Sequence, residues 1–262
     1  MIIEFFKYQG TGNDFVILDN RDARYNDITP KQVKHLCDRH FGVGADGLML
    51  LNRHDQYDFE MKYYNADGNE STMCGNGGRC LVKFAHQRGI ERDIYHFVAT
   101  DGEHDATIDD NGWVSLKMKP VAGITTTGKH FLLDTGSPHY VETTNDIMKV
   151  DVYHKGHDIR HSREFEKEGV NVNFMQYIDD DTIYVRTYER GVEDETLSCG
   201  TGVTAAALVA AHNERGFNSI NVKTPGGKLR VEFDKTDEEN FSNIWLCGPA
   251  EYVFSGNISV PV

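Results

Sequence analysis

Apolar and polar positions along the chain fall mostly into short runs rich in β-branched and aromatic residues, interrupted by Gly, Asn and Asp. Such runs predict strands. They read IIEFFKY, FVIL, GLMLL, FEMKYYN, YHFVAT and WVSLKMK in the first part of the chain, then HFLLD, HYVET, IYVRTYE, INVKT, LRVEF and NIWLC. Three segments carry helical signals instead. The first opens at Thr29 as N-cap, with Pro30 as first helical residue and Gln32 completing a capping box, and reads as a surface helix. The other two, CGNGGRCLVKFAHQRG from Cys74 and CGTGVTAAALVAAHNERG from Cys199, both begin Cys-Gly-x-Gly. Leu81, Phe84 and Ala85 give the former an apolar stripe, with Gly89 as its stop. Val203 to Ala211 is apolar or small all round apart from Thr204, which describes a helix enclosed on every side, as inside a curved sheet.

The surroundings of the two cysteines repeat along with the motif. A strand (FEMKYYN, IYVRTYE) precedes each, followed by an acidic loop, the cysteine, the helix, a strand, a glycine turn (TDG, TPGG) and another strand. The two cysteines lie close to half the chain apart, so the pattern predicts a duplication. PVAGITTTG, from Pro120 to Gly128, is the candidate crossing between halves, with the boundary near residue 119.

Composition narrows the function classes. Hydrophobic residues make up 39% and charged residues 26%, which predicts a folded chain of ordinary composition. The net charge of −14 argues against nucleic acid as a partner. The opening MIIEFFKYQG lacks a basic start and a cleavage site, and no apolar run would span a bilayer, so the expected location is cytoplasmic. Five scattered cysteines, odd in number, predict free thiols and no disulfide framework. The Cys74 to Cys80 spacing does not suit zinc, and no metal is expected.

The paired motif supplies the candidate chemistry. The first turn of a helix presents unpartnered N–H groups and a partial positive charge, which favour a thiolate and attract a carboxylate. The adjoining glycines let that carboxylate approach the backbone. With an amino acid held this way, one thiolate can remove the α-proton while the other thiol delivers a proton to the opposite face, inverting the carbon without pyridoxal phosphate. A single Cys-Gly pair is more often a buried turn residue, but two in matched settings favour catalysis over packing or a redox pair. Cys37, Cys80 and Cys247 are assigned to packing.

At these residues the chain resembles diaminopimelate epimerase. GTGNDF, GADG at Gly44 to Gly47, NADGNESTMCGNGGRC, the Pro138 and His139 pair, NVNF from Asn171, ERGVEDETLSCGTG and GPAEYVFSG carry the resemblance along the whole length. It implies an α/β fold of two pseudo-symmetric halves, each a curved, mostly antiparallel sheet around a central helix, with the active site in the cleft between them. The last strand would return to the first half, giving residues 1–118 with 251–262 and residues 119–250. It also implies Cys74 and Cys199 as acid and base, with His139 and Glu189 beside them. Asn13, Asn65, Asn171 and Arg190 would hold the distal end of the substrate, and Gly75, Asn76, Gly200 and Thr201 the reacting carboxylate. The resemblance implies no cofactor, and a homodimer as the assembly. Ser137 stands where the family commonly has Asn, Gly47 where some members have Gln, and the 191–198 loop is about one residue longer and more acidic than usual. The alternatives are a two-thiol racemase of another amino acid, such as proline or hydroxyproline, and a non-catalytic amino-acid-binding module.

Overall fold

Strands at the centre of the fold are apolar on both faces, and this follows from what lies on each side of them. In a strand, alternate residues point to opposite faces. The computed structural model describes residues 1–211, 215–237 and 239–260. It divides into two units, Met1–Leu116 with Pro249–Val262, and Lys117–Gly248.

In the first unit, Ile3, Phe5, Val16, Leu18, Leu48 and Leu50 pack on one face against Val33, Leu36 and Cys37 of helix α1 (Pro30–Cys37). The alternate residues serve helix α2 (Gly75–Gln87): Phe6 and Tyr8 meet Phe84, while Phe15 and Met49 approach Gly77. Covering both faces explains the near-continuous apolar runs. The strands are ordered Glu251–Ser259, Ile2–Gly10, Asn13–Asp19, Gly47–Asn52, Phe59–Asn65, Tyr95–Ala99, Gly102–Ile108, Val114–Lys117. Two joints are parallel, Asn13–Asp19 with Gly47–Asn52 and Phe59–Asn65 with Tyr95–Ala99, and the rest antiparallel. The chain crosses each parallel joint through a helix, as parallel neighbours require. Helix α2 touches strands from both ends of this order, so the sheet curls round it.

The second unit repeats the plan: Thr125–Thr127, His130–Asp134, Pro138–Thr143, Asn171–Asp179, Thr182–Glu189, Gly216–Thr224, Gly227–Lys235, Asn240–Gly248. Its parallel joints fall at the same two places, crossed by helix α3 (Val152–Arg160) and helix α4 (Gly200–Val209). Helix α4 touches seven of those strands, and its Val203 to Leu208 are all buried. This is the duplicated α/β architecture that the repeat and the resemblance imply.

Several local expectations change. Thr29 caps α1 with both hydrogen bonds of the capping box, and α2 stops before a left-handed Gly89, as the sequence indicates. Helix α4 ends at Val209, earlier than its sequence pattern; His212 to Glu214, which that pattern includes, lie outside the described residues. Pro120 to Gly128 is not bare linker, since Val121–Ala122 pairs with Phe241 and Asn240, and Thr125–Thr127 with the strand from His130. Helix α3 and the strand Asn171–Asp179 are additions to the helices and strands read from pattern, whereas Gly102–Ile108 is the strand expected after the TDG turn and Glu251–Ser259 the last strand that the resemblance returns to the first half. Among the described residues no helix is long and apolar enough to cross a membrane.

Candidate active site

Each candidate thiol sits at the N-cap of its unit's enclosed helix. Cys74 has extended backbone (φ −94°, ψ 132°) and precedes α2; Cys199 (φ −107°, ψ 112°) precedes α4. Extended backbone at the N-cap keeps the sulfur outside the helix and turns the first N–H groups outward. Neither helix has an acidic residue in its first turn to compete for the positive end of the dipole. All five cysteines are free thiols. Burial pushes the Cys37 and Cys80 thiols up to about 12, which suits packing.

In the first unit, Cys74 Sγ lies 3.5 Å from Asn13 Oδ1, which also accepts from Asn76 Nδ2 at 3.4 Å. The orientation of Asn13 is fixed from behind, because its amide nitrogen donates to Asp46 Oδ2 at 2.6 Å. Asp46 and Asp14 are bridged by Arg39, and Lys7 adds a second partner to Asp14. Burial alone would raise the Asp14 carboxyl, but Arg39 and Lys7 hold it down to about 2. Asn76 is buried and its carbonyl accepts from Arg79 at 3.0 Å; Arg79, itself fully buried, also donates to Gly75 O and Thr11 Oγ1. The structure therefore brings Cys74, Gly75, Asn76 and Asn13 together. Asn65 ends the strand Phe59–Asn65, paired with Gly47, which in turn pairs with Phe15, so it lies in the same end row of the sheet and is exposed. Gly47 is required there, since a Cβ would come within 2.5 Å of the Tyr63 ring and 2.7 Å of Tyr64 O.

In the second unit, Cys199 Sγ lies 3.4 Å from Thr201 Oγ1, and Thr201 O accepts from Thr135 at 3.0 Å. Ser137 Oγ is 3.4 Å from Thr201 Oγ1, 3.1 Å from His139 Nε2 and 3.2 Å from Asn171 Nδ2. Burial, with the Arg190 charge second, lowers the His139 imidazole to about 3 and keeps it neutral. Asn171 Oδ1 accepts the backbone N–H of Arg190, whose guanidinium donates to Glu168 O at 2.7 Å. Glu189 is half-buried and follows Tyr188, which pairs with Val172, so it stands beside Asn171. The structure thus gathers Cys199, Gly200, Thr201, His139, Asn171, Glu189 and Arg190 within one unit. The acidic 191–198 loop is tied down: Glu195 makes a two-pronged bridge to Arg186, and Glu193 is held by Tyr188, Arg160 and His161.

Sequence reasoning missed Arg79, Asn173 and Thr187, all buried in these clusters. The signals were present. Arg79 follows Cys74 within the motif, and Asn173 lies two residues beyond Asn171 on the same strand face.

Comparison with known proteins gives concordant results. The family profile for diaminopimelate epimerase matches residues 5–122 and 131–253. The chain is 48% identical to the diaminopimelate epimerase of Flavobacterium psychrophilum, covering 98% of this chain and 100% of that one. It is 42% identical to that of Chlorobaculum tepidum, covering 96% and 99%. Among solved structures, a phenazine biosynthesis protein of the PhzF family from Bacillus anthracis shares the fold, with TM-score 0.78 at 14% identity and 99% of both chains covered.

Proposed function

Since the chain belongs to the diaminopimelate epimerase family, we propose that it interconverts LL- and meso-diaminopimelate, with Cys74 and Cys199 as the acid and base. The observation that supports the thiol assignment is their matched placement: each is the N-cap residue of the enclosed helix in its unit. The thiolate takes the α-proton, and the carbon's electron pair spreads into the carboxylate, whose charge is met by the N–H groups of Gly75 and Asn76 and of Gly200 and Thr201. The other thiol then gives its proton to the opposite face. The pair ends with the proton exchanged, ready for the reverse direction.

In this reading Asn13, Asn65, Asn171 and Arg190 receive the distal amino-acid end, an Arg matching a carboxylate and amide oxygens matching an ammonium group. His139 and Glu189 support the thiols, and the reaction uses no cofactor. The enzyme would serve lysine and peptidoglycan precursor synthesis in the cytosol, and a homodimer would cover the exposed Tyr252, Val253 and Phe254.

The test is turnover in heavy water. LL-diaminopimelate should gain deuterium at one α-carbon and become the meso form, and Cys74→Ser and Cys199→Ser should each lower turnover about a hundredfold or more. Full activity in either variant removes the thiol pair. Exchange with proline and none with diaminopimelate removes the substrate.

A further inference from the structure

The duplicated plan places different chemistry at one equivalent position in the two units. In the first, Met49 pairs with Tyr63 across the antiparallel joint and with Ile17 across the parallel one; in the second, Asn173 pairs with Thr187 and Val141 in the same way. By the same register Phe15 corresponds to His139, since each opens its parallel pairing, with Gly47 and Asn171 respectively. An apolar cluster thus stands opposite Gly77, whereas the corresponding Gly202 faces Asn173 and Thr187. Fully buried polar side chains cost stability relative to apolar ones of similar size, so the exchange calls for a functional reason.

Donor directions in this cluster are fixed by the acceptors that each atom faces. Asn173 Nδ2 is 3.0 Å from Tyr140 O and 3.3 Å from Asn171 O, two acceptors, so the amide nitrogen and not the oxygen must face them. Its Oδ1 then accepts from Thr187 Oγ1 at 2.9 Å. The same nitrogen lies 3.1 Å from His139 Nδ1; its two protons are shared among three acceptors, and a protonated Nδ1 would set N–H against N–H, so Nδ1 carries a lone pair. A buried, uncharged ring holds its proton on Nε2 and donates to Ser137 Oγ. Asn171 Nδ2 donates to that oxygen as well, leaving the Ser137 hydroxyl proton to point to Thr201 Oγ1, and the Thr201 proton to point to Cys199 Sγ.

We propose that Asn173 is a positioning residue for the reaction: it fixes His139 as its Nε2–H form and so sets the direction of a chain of hydrogen-bond donors that ends on the sulfur of Cys199. The inference deepens the epimerase reading and rests on it for the role of Cys199. A chain of donors converging on a sulfur stabilises the thiolate over the thiol, which is what a base waiting for an α-proton needs.

Two readouts test this without substrate. Nitrogen-15 spectra of histidine-labelled protein should show the His139 proton on Nε2 throughout the neutral range, and the rate of Cys199 alkylation by iodoacetamide reports its thiolate. Asn173→Asp presents only acceptors to Nδ1 and should draw the proton there, slow Cys199 alkylation about tenfold, and lower kcat about tenfold or more with KM little changed. If that variant does not fold, Thr187→Val should slow alkylation and Thr187→Ser should restore it. An Nδ1–H ring in the unmodified protein overturns the inference, as does undiminished alkylation in both folded variants. Failure of the epimerase reading would instead leave the tautomer and the alkylation effects intact while diaminopimelate is not turned over.

Discussion

Alanine at Gly202 and at Gly77 should have very different consequences, although the two glycines are equivalent in the repeat. An added Cβ at Gly202 would lie 2.3 Å from Asn173 Oδ1 and 3.3 Å from Thr187 Oγ1, inside a cluster with no exposed surface at Asn173. The amide cannot give way without loosening its bonds to Thr187, His139 and two backbone carbonyls. Overpacking costs about 1–3 kcal/mol and a buried polar group left unsatisfied a further ~1–3. Against this stands up to about 1 kcal/mol of improved helix propensity. A net loss of about 2–4 kcal/mol follows, which lowers the unfolding midpoint by roughly 5–15 °C in a domain of this size. At Gly77 the nearest atoms are Met49 Sδ at 3.2 Å and Phe15 Cζ at 3.4 Å, and a thioether can rotate aside, so the cost should stay within about 1 kcal/mol. Circular dichroism melts of the two variants beside the parent decide it. Equal midpoints for the two variants would refute the claim that the second cluster is rigid and polar where the first is adaptable.

Other outcomes follow from the same geometry. His139 is neutral when folded and titrates near 3, below its ordinary 6.5, so it contributes stability above that ordinary value that is lost as pH falls from about 6.5 towards 3. Urea unfolding should therefore weaken by up to about 1.4 kcal/mol per pH unit over this range, and His139→Gln should flatten the slope. Arg79→Met should lower kcat by releasing the carbonyl of Asn76, and Arg79→Lys should not restore it, because a single ammonium cannot reproduce the fork that reaches Gly75, Thr11 and Asn76 together. Cys37→Ala should keep full turnover and lose only stability, by about 1–2 kcal/mol in chemical denaturation, since Cys37 lies in the core beneath α1.

What the chain announced and what it hid have physical reasons. Strands buried on both faces stood out because their runs are apolar without interruption, as in Phe15 to Leu18 and Leu48 to Leu51. The strand Asn171–Asp179 escaped notice as a strand because the inward positions that should read as apolar are Asn171 and Asn173, committed to the site. Helix α3 was hidden by Gly156, a poor helix former that the packing demands: a Cβ there would meet Tyr188 Cβ at 2.4 Å. Its buried face is narrow as well, with only Val152 and Gly156 buried. In the site, the motif residues around both thiols were legible. Asn173, Thr187 and Arg79 were not, because single buried polar residues look like ordinary strand or helix positions until pairing shows what they face.

The closing strand has a consequence for the order in which the protein can be made. Residues Glu251 to Ser259 complete the sheet of the first unit by pairing with Gln9 to Ile2, whereas the corresponding strand of the second unit, Thr125–Thr127, precedes the rest of its sheet. On the ribosome the later unit has every one of its strands once Gly248 has emerged, while the earlier one still waits with one side of Ile2–Gly10 unmatched. The half translated first is thus the last to close, and its thiol helix α2 lies in an incomplete sheet until Glu251–Ser259 has emerged.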